Sequence, residues 1–169
     1  MKEVKQAEEN QVKYHAPGKF VLVDQFIDWT KGLRKRTFFE QGIVGHVSCA
    51  YPVNADLRNK IAESIEKTSI NFSNGGLYVC IEGPQFSSRA ESEVYRSFKA
   101  DVIGMTNVPE VFLAKEAGIA YATIAMVTDY DCWKDEHCTV EEIMRVMGDN
   151  YKSAQEVLNE VIPSLVQAP

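Results

Sequence analysis

The sequence predicts an α/β fold, a mixed sheet flanked by helices, and three observations carry that reading. From Leu77 onward strand-like and helix-like segments alternate: LYVCI, a helix opened at Ser88, DVIGM, a helix opened at Asn107, IAYATIAMV, and a long amphipathic helix. This order belongs to layered α/β domains with largely parallel neighbours. Two S/T-x-x-E capping boxes, Ser88 to Glu91 and Thr139 to Glu142, mark helix starts. IAYATIAMV is apolar at nearly every position, as a strand buried on both faces is.

The elements follow in chain order. Residues 1–16 are mostly polar and charged and read as a leader, and residues 17–169 as the domain itself, entered at the Pro17-Gly18 turn. FVLVDQFI, residues 20–27, opens with four apolar residues and predicts a buried strand. Lys31, Arg34, Lys35 and Arg36 make the next stretch basic, which reads as a solvated loop rather than an anion site. GIVGHVSCAY, residues 42–51, is expected to hold a short strand. Residues 55–68 read as an amphipathic helix, with Leu57, Ile61 and Ile65 repeating every four residues. Asn74-Gly75-Gly76 is a turn, LYVCI a strand, and Gly83-Pro84 its stop.

The Ser88 helix is expected to reach about Phe98, and a short strand to run from Asp101 to Met105. Asn107 stands as N-cap of the next helix, with Pro109 in its first turn and Glu110 at the third position. Gly118 suits its C-terminal end. The last helix carries a stripe of Val140, Ile143, Met144, Met147, Tyr151, Ala154, Leu158, Val161, Ile162 and Leu165, which predicts core packing, and Pro163 is expected to kink or end it.

Composition narrows the function. The chain has 169 residues, 45% apolar and 25% charged, and a net charge of −6. One domain with its own core is expected. The acidic balance argues against a nucleic-acid partner. No apolar run approaches the roughly 20 residues of a membrane span, and the polar start is no secretory signal. Cys49, Cys80, Cys132 and Cys138 contain no C-x-x-C pair and read as reduced thiols, which points to the cytoplasm. Cys132, His137 and Cys138 lie close together, but their spacing matches no zinc pattern, so no metal is expected.

Ligands of α/β sheets collect beyond the carboxyl ends of strands. Three loops fall there: EGPQFSS after Ile81, MTNVPE after Gly104 and TDYDCWK after Val127. Phe86 can stack on a flat ring beside Ser87 and Ser88. Met105 and Thr106 lead into a helix start, which attracts anions. Asp129 and Asp131, beside Thr128 and Tyr130, can exchange a proton with a ligand at the mouth of an apolar sheet. The dinucleotide fingerprint G-x-G-x-x-G, the P-loop and the G-x-S-x-G elbow are absent from the sequence.

Taken together, IEGPQFSSRAES, MTNVPEVFLAKEAGI and IAMVTDYDCWK resemble the S-methyl-5′-thioadenosine phosphorylase family, within the trimeric purine nucleoside phosphorylase superfamily. GKFVLVDQFID resembles its middle portion. The resemblance implies part of a phosphorylase/hydrolase-like three-layer fold. It also implies phosphorolysis of methylthioadenosine to adenine and 5-methylthioribose 1-phosphate, with inorganic phosphate as co-substrate and no cofactor. A homotrimer is implied too. By the same resemblance Asp129 is the N7 proton donor and Asp131 supports the 6-amino contact. Phe86 and Ser87 flank the purine, Thr128 meets the base, and Met105 and Thr106 meet ribose and phosphate. His46 faces the 5′-methylthio pocket, from a neighbouring subunit. The TDYDCW loop favours the methylthioadenosine branch, because an aspartate accepts from an adenine amino group.

The family chain is longer. It opens with a glycine-containing phosphate loop, an Arg-His pair and a Thr-Ala pair that have no counterpart in these residues. The N-terminal strands are therefore expected to be missing, and with them much of the phosphate site. The alternative expectation is a non-catalytic relative that binds adenine nucleosides or serves as a structural, oligomerising subunit.

Overall fold

A computed structural model describes residues 15–39, 42–134 and 139–166. The α/β expectation holds: among the described residues six strands and four helices build a mixed sheet system with helices on both faces. β1 (Phe20–Val23), β3 (Phe72–Asn74) and β6 (Thr123–Met126) form one three-stranded sheet in the order β3-β1-β6. β2 (Gln25–Trp29), β4 (Leu77–Ile81) and β5 (Val102–Gly104) form the other, in the order β2-β4-β5 and wholly parallel. The helices are α1 (Ala55–Ile65), α2 (Arg89–Ser97), α3 (Glu110–Glu116) and α4 (Val140–Val166).

The expected single strand over residues 20–27 is two strands, broken at Asp24. The β3–β4 segment breaks at the same level, at Gly75-Gly76, and the pairing register is unchanged across the bend. Phe20 lies opposite Phe72 before it, and Gln25 opposite Leu77 after it. The amides of Asp24 and Gln25 both donate to the Gly76 carbonyl, at 3.1 and 3.4 Å, and the Gly75 amide donates to the Leu22 carbonyl at 2.9 Å. The Asp24 carboxylate accepts from the Gly76 amide at 3.2 Å and pairs with Arg58 of α1 at 3.0 Å. Gly75 needs φ +104°, and a Cβ on Gly76 would stand 2.7 Å from Val21 Cγ1. Only glycines satisfy both positions without strain.

The bend shifts the alternation of side chains by one residue. Phe20 and Leu22 face α1 and α4, packing with Ile61, Ala62, Ile65, Val157 and Val161. Val23, Tyr78 and Cys80 face the other way, with Val108 and Val111 at α3. Val79 and Ile81 face Tyr95 of α2. All four side chains of β1 are fully buried, so the core sits around this strand.

Local signals shape several of the helix ends. Asn54 caps α1, accepting from the Leu57 amide at 2.8 Å, although the helix ends at Ile65 rather than Thr68. The Ser88 capping box is reciprocal: Ser88 Oγ accepts from the Glu91 amide at 3.3 Å, and the Glu91 carboxylate from the Ser88 amide at 2.7 Å. Thr139 and Glu142 repeat it at α4. After α3 the Gly118 amide donates to the Lys115 carbonyl and the Ile119 amide to the Ala114 carbonyl, a Schellman end.

Other expectations are corrected. Residues 42–51 form no strand; Ile43, Val44 and Tyr51 are exposed, because no sheet edge pairs with the segment among the described residues. The strand expected over Asp101 to Met105 is only Val102–Gly104. IAYATIAMV gives a strand only over Thr123–Met126, which runs antiparallel to β1 at a sheet edge, with Met126 exposed. Its apolar run still packs on two sides, Ala122 and Ile124 toward Phe20, Leu22 and Ile61, and Tyr121 and Ala125 toward Val23, Tyr78 and Val111, although these four residues are only partly buried. The α4 stripe is split. Asn150, Ala154, Val157 and Val161 turn inward, while Val140, Met144, Met147, Tyr151, Leu158, Ile162 and Leu165 are exposed. α4 runs past Pro163 to Val166 rather than stopping there.

Of the expected leader, residues 1–14 lie outside the described residues. His15 is buried and meets Asp101 at 3.0 Å. Among the described residues no helix is long and apolar enough to cross a membrane.

Candidate active site

The three loops singled out by sequence leave β4, β5 and β6. β4 and β5 are parallel, so their loops start at the same end of the sheet. β6 is antiparallel to β1, so the carboxyl-end rule does not place its loop there. The loop reaches the others through its own path: Cys132 Sγ lies 3.3 Å from the Ser87 carbonyl. Asp131 sits near the Tyr95 phenol, whose pKa is pushed up by burial first and then by Glu91 and Asp131.

Within this loop Asp131 Oδ1 accepts from the Cys132 amide at 2.9 Å, while Oδ2 is buried with no hydrogen-bond partner among the described residues. A buried carboxylate oxygen without a donor is costly. Asp129 is exposed, and the Thr128 hydroxyl donates to its Oδ1 at 2.6 Å. Trp133 closes the loop on α2, with the Arg96 guanidinium 4.6 Å above its ring.

Met105 packs into the cluster of Val79, Ile81 and Tyr95 and lies over Gly83, where a Cβ would meet its sulfur. Thr106 is held from below. The Tyr78 hydroxyl stands 3.4 Å from both its amide and its hydroxyl, and the Cys80 thiol donates to its carbonyl at 3.0 Å. The Tyr78 ring can cross β5 there because Gly104 has no side chain; a Cβ would overlap its hydroxyl.

Phe86 and Ser87 border a cleft of about 320 Å³ floored by Ile81 and Tyr95 and flanked by Asp28, Thr30 and Glu91. The volume is in the range of small-molecule clefts. Phe86 is 86% exposed. Asp28 is raised by burial, but the Thr30 hydroxyl and amide and Arg36 outweigh this and hold it below the usual carboxylate range.

The structure thus brings Ser87, Met105 and Asp131 around Tyr95, sets Thr128 on Asp129, and seats Thr106 on Tyr78. It does not bring His46 to them: His46 is exposed in residues 42–50, and no hydrogen bond among the described residues joins it to the others.

Sequence reasoning missed several residues. Arg34, expected in a solvated loop, is a clamp. Its guanidinium donates to Glu82 Oε1 at 2.9 Å and to the carbonyls of Val108 at 2.6 Å and Glu82 at 3.1 Å. It ties the loops after β4 and β5 together, and it holds the Glu82 carboxyl below its ordinary range. Nothing in a basic run distinguishes the one arginine that turns inward. Asn107 is no side-chain cap; α3 starts after Pro109 without one. Its Oδ1 accepts instead from Tyr121 and Thr123, at 2.9 and 3.0 Å. Burial pushes the Tyr121 phenol up to about 12. Among the described residues no three His, Cys, Asp or Glu side chains stand together as metal ligands, and His137 and Cys138 lie outside them.

Comparison with known proteins gives the family. The family model described as the phosphorylase superfamily matches residues 12–163. The S-methyl-5′-thioadenosine phosphorylase of Hyperthermus butylicus is 51% identical over 156 residues, covering 92% of this chain and 57% of that protein. That of Thermofilum pendens is 49% identical over 151 residues, covering 89% and 57%. The Schistosoma mansoni methylthioadenosine phosphorylase in complex with adenine superposes with a TM-score of 0.84 at 32% identity, over 90% of this chain and 61% of that one. A methylthioadenosine phosphorylase from an antarctic soil metagenomic library gives 0.84 at 41%, over 89% and 54%. The chain spans just over half the length of the curated relatives it matches. A family model that matches this much of the sequence shows that the chain belongs to the phosphorylase superfamily.

Proposed function

We propose that the chain forms the purine-reading part of a methylthioadenosine phosphorylase. The reaction converts S-methyl-5′-thioadenosine and inorganic phosphate into adenine and 5-methylthioribose 1-phosphate. The bond from the sugar carbon to the purine breaks, its electron pair leaves with the base, and a phosphate oxygen bonds to the sugar carbon. Asp129 gives a proton to N7 of the departing purine. Asp131 accepts from the 6-amino group, Thr128 meets the base, and Phe86 and Ser87 flank its ring. Met105 and Thr106 meet ribose and phosphate. His46 serves the 5′-methylthio pocket of a neighbouring subunit in a homotrimer, which suits its exposure. Phosphate is the co-substrate and no cofactor or metal takes part. The setting is purine salvage in the cytoplasm, with no nucleic-acid or membrane partner.

The observation that carries this reading is the buried Asp131 Oδ2, which has no partner among the described residues, in a loop tied to Ser87 through Cys132. An adenine amino group is the donor that atom lacks. A second reading is favoured by the chain's span of just over half its relatives' length: it binds adenine nucleosides, or joins an assembly, without efficient turnover. Purified chain is incubated with methylthioadenosine and phosphate, and adenine release is followed. Turnover that Asp129→Asn abolishes supports phosphorolysis; adenine binding without turnover supports the second reading. Full activity in Asp129→Asn refutes the proton-donor role.

A further inference from the structure

We propose that Asn107 is a positioning residue that fixes the Thr106 hydroxyl as a hydrogen-bond donor toward phosphate oxygen. This rests on the reading of Thr106 as a phosphate and ribose contact.

Asn107 lies directly after Thr106 in the left-handed region, at φ 71°. Asparagine tolerates that conformation better than most residues. The backbone there turns the side chain away from the helix start and toward β6. Its Oδ1 then meets two hydroxyls, Tyr121 at 2.9 Å and the buried Thr123 at 3.0 Å. A neutral phenol donates more readily than it accepts, and two donors use both lone pairs of the amide oxygen. The amide is thereby oriented, and Nδ2 faces Thr106 Oγ1 at 3.3 Å.

The consequence falls on Thr106. Its hydroxyl oxygen accepts from Asn107, with the Tyr78 hydroxyl as a second polar neighbour at 3.4 Å. With Asn107 donating to its oxygen, the threonine keeps its own proton for an acceptor: the Tyr78 oxygen at 3.4 Å is the acceptor within reach among the described residues, and a ligand oxygen at closer range competes with it. Thr106 is exposed, so a ligand can reach it. A hydroxyl wired as donor favours a ligand that only accepts, and phosphate oxygens do that. The Cys80 thiol, donating to the Thr106 carbonyl at 3.0 Å, keeps the backbone from following the side chain.

Asn107→Asp tests the wiring with little change of shape. The carboxylate still accepts from Tyr121 and Thr123, but its second oxygen takes the Thr106 proton. The affinity of the chain for inorganic phosphate, titrated by NMR, is expected to fall roughly tenfold or more. Thr106→Val is expected to cost a similar factor, and the double variant to bind no more than about threefold weaker than Thr106→Val alone. Adenine affinity is expected to stay unchanged in Asn107→Asp, a split that general loosening of the fold does not give. Without any ligand, Thr106→Val is expected to move the Asn107 side-chain amide protons. Independent, multiplying losses in the double variant overturn the inference, as does an Asn107 amide indifferent to Thr106→Val. A chain whose Asn107 amide responds but which binds no phosphate upholds the wiring and refutes the assignment of Thr106 to phosphate.

Discussion

Replacing Gly76 by alanine perturbs the bend that sets β2 and β4 at their angle to β1 and β3. The added Cβ would stand 2.7 Å from Val21 Cγ1 and 3.3 Å from Asp101 Cβ. Val21 is fully buried in β1 and cannot swing out to solvent, so backbone or core must shift. Overpacking of this kind costs about 1–3 kcal/mol. The smaller conformational entropy of alanine in the unfolded chain returns roughly 0.4–1 kcal/mol. A net loss of about 1.5 kcal/mol is expected. With a urea slope of about 2 kcal/mol per molar, the unfolding midpoint moves down by roughly 0.7 M. Val21→Ala alone leaves a cavity and is also destabilising. In the double variant the clash disappears, so the two losses are expected to fall short of additivity by about 1 kcal/mol. Urea unfolding of the four proteins measures this directly. Additivity within about 0.5 kcal/mol refutes the claim that the Gly76–Val21 approach constrains the bend.

Three further outcomes are expected. Arg34→Met removes the clamp between the loops after β4 and β5 and lowers the unfolding midpoint, and in the same variant the Glu82 carboxyl, followed by NMR, titrates higher than in the parent chain. Because Glu82 is depressed in the folded chain, its contribution is present above its ordinary pKa of 4.5 and is lost as pH falls through the folded value; an unchanged Glu82 titration contradicts the pairing. Tyr121 is expected to ionise near pH 12 in an ultraviolet titration, a step that Tyr121→Phe removes. Being raised, it contributes stability that is whole below pH 10 and declines from there through about 12. Ser88→Ala breaks the capping box of α2 and is expected to cost about 1 kcal/mol, with the Glu91 carboxyl rising toward its ordinary value once the loop loosens.

What was legible in the sequence was local. The two capping boxes, the helix from Ala55, the LYVCI strand and the Gly118 end each depend on neighbours within a few residues, and each forms. Pairing direction depends on residues far apart, so β6 gave no sign that it runs antiparallel to β1. The same holds for the α4 stripe. Periodicity marks an apolar face but does not say how wide the contact is, and here α1 and β1 take only the side bearing Val157 and Val161.

The candidate site divides in the same way. The loops carrying Ser87, Met105, Thr106, Thr128, Asp129 and Asp131 stood out because polar residues crowd after apolar strands. The side chains that hold them did not: Arg34 lay in an ordinary basic run, Tyr78 and Cys80 in an ordinary strand, and Asn107 looked like a cap. Their contacts span dozens of residues and arise only when β2, β4, β5 and β6 are in place.

The most direct test of the central claim is an NMR titration of the chain with adenine. The account predicts chemical-shift changes gathered at Ser87, Met105, Thr128, Asp129 and Asp131, and their loss at Asp131 when that residue is changed to alanine. Changes centred instead on the separate cleft around Asn74 and Leu77, or none at millimolar adenine, would contradict it.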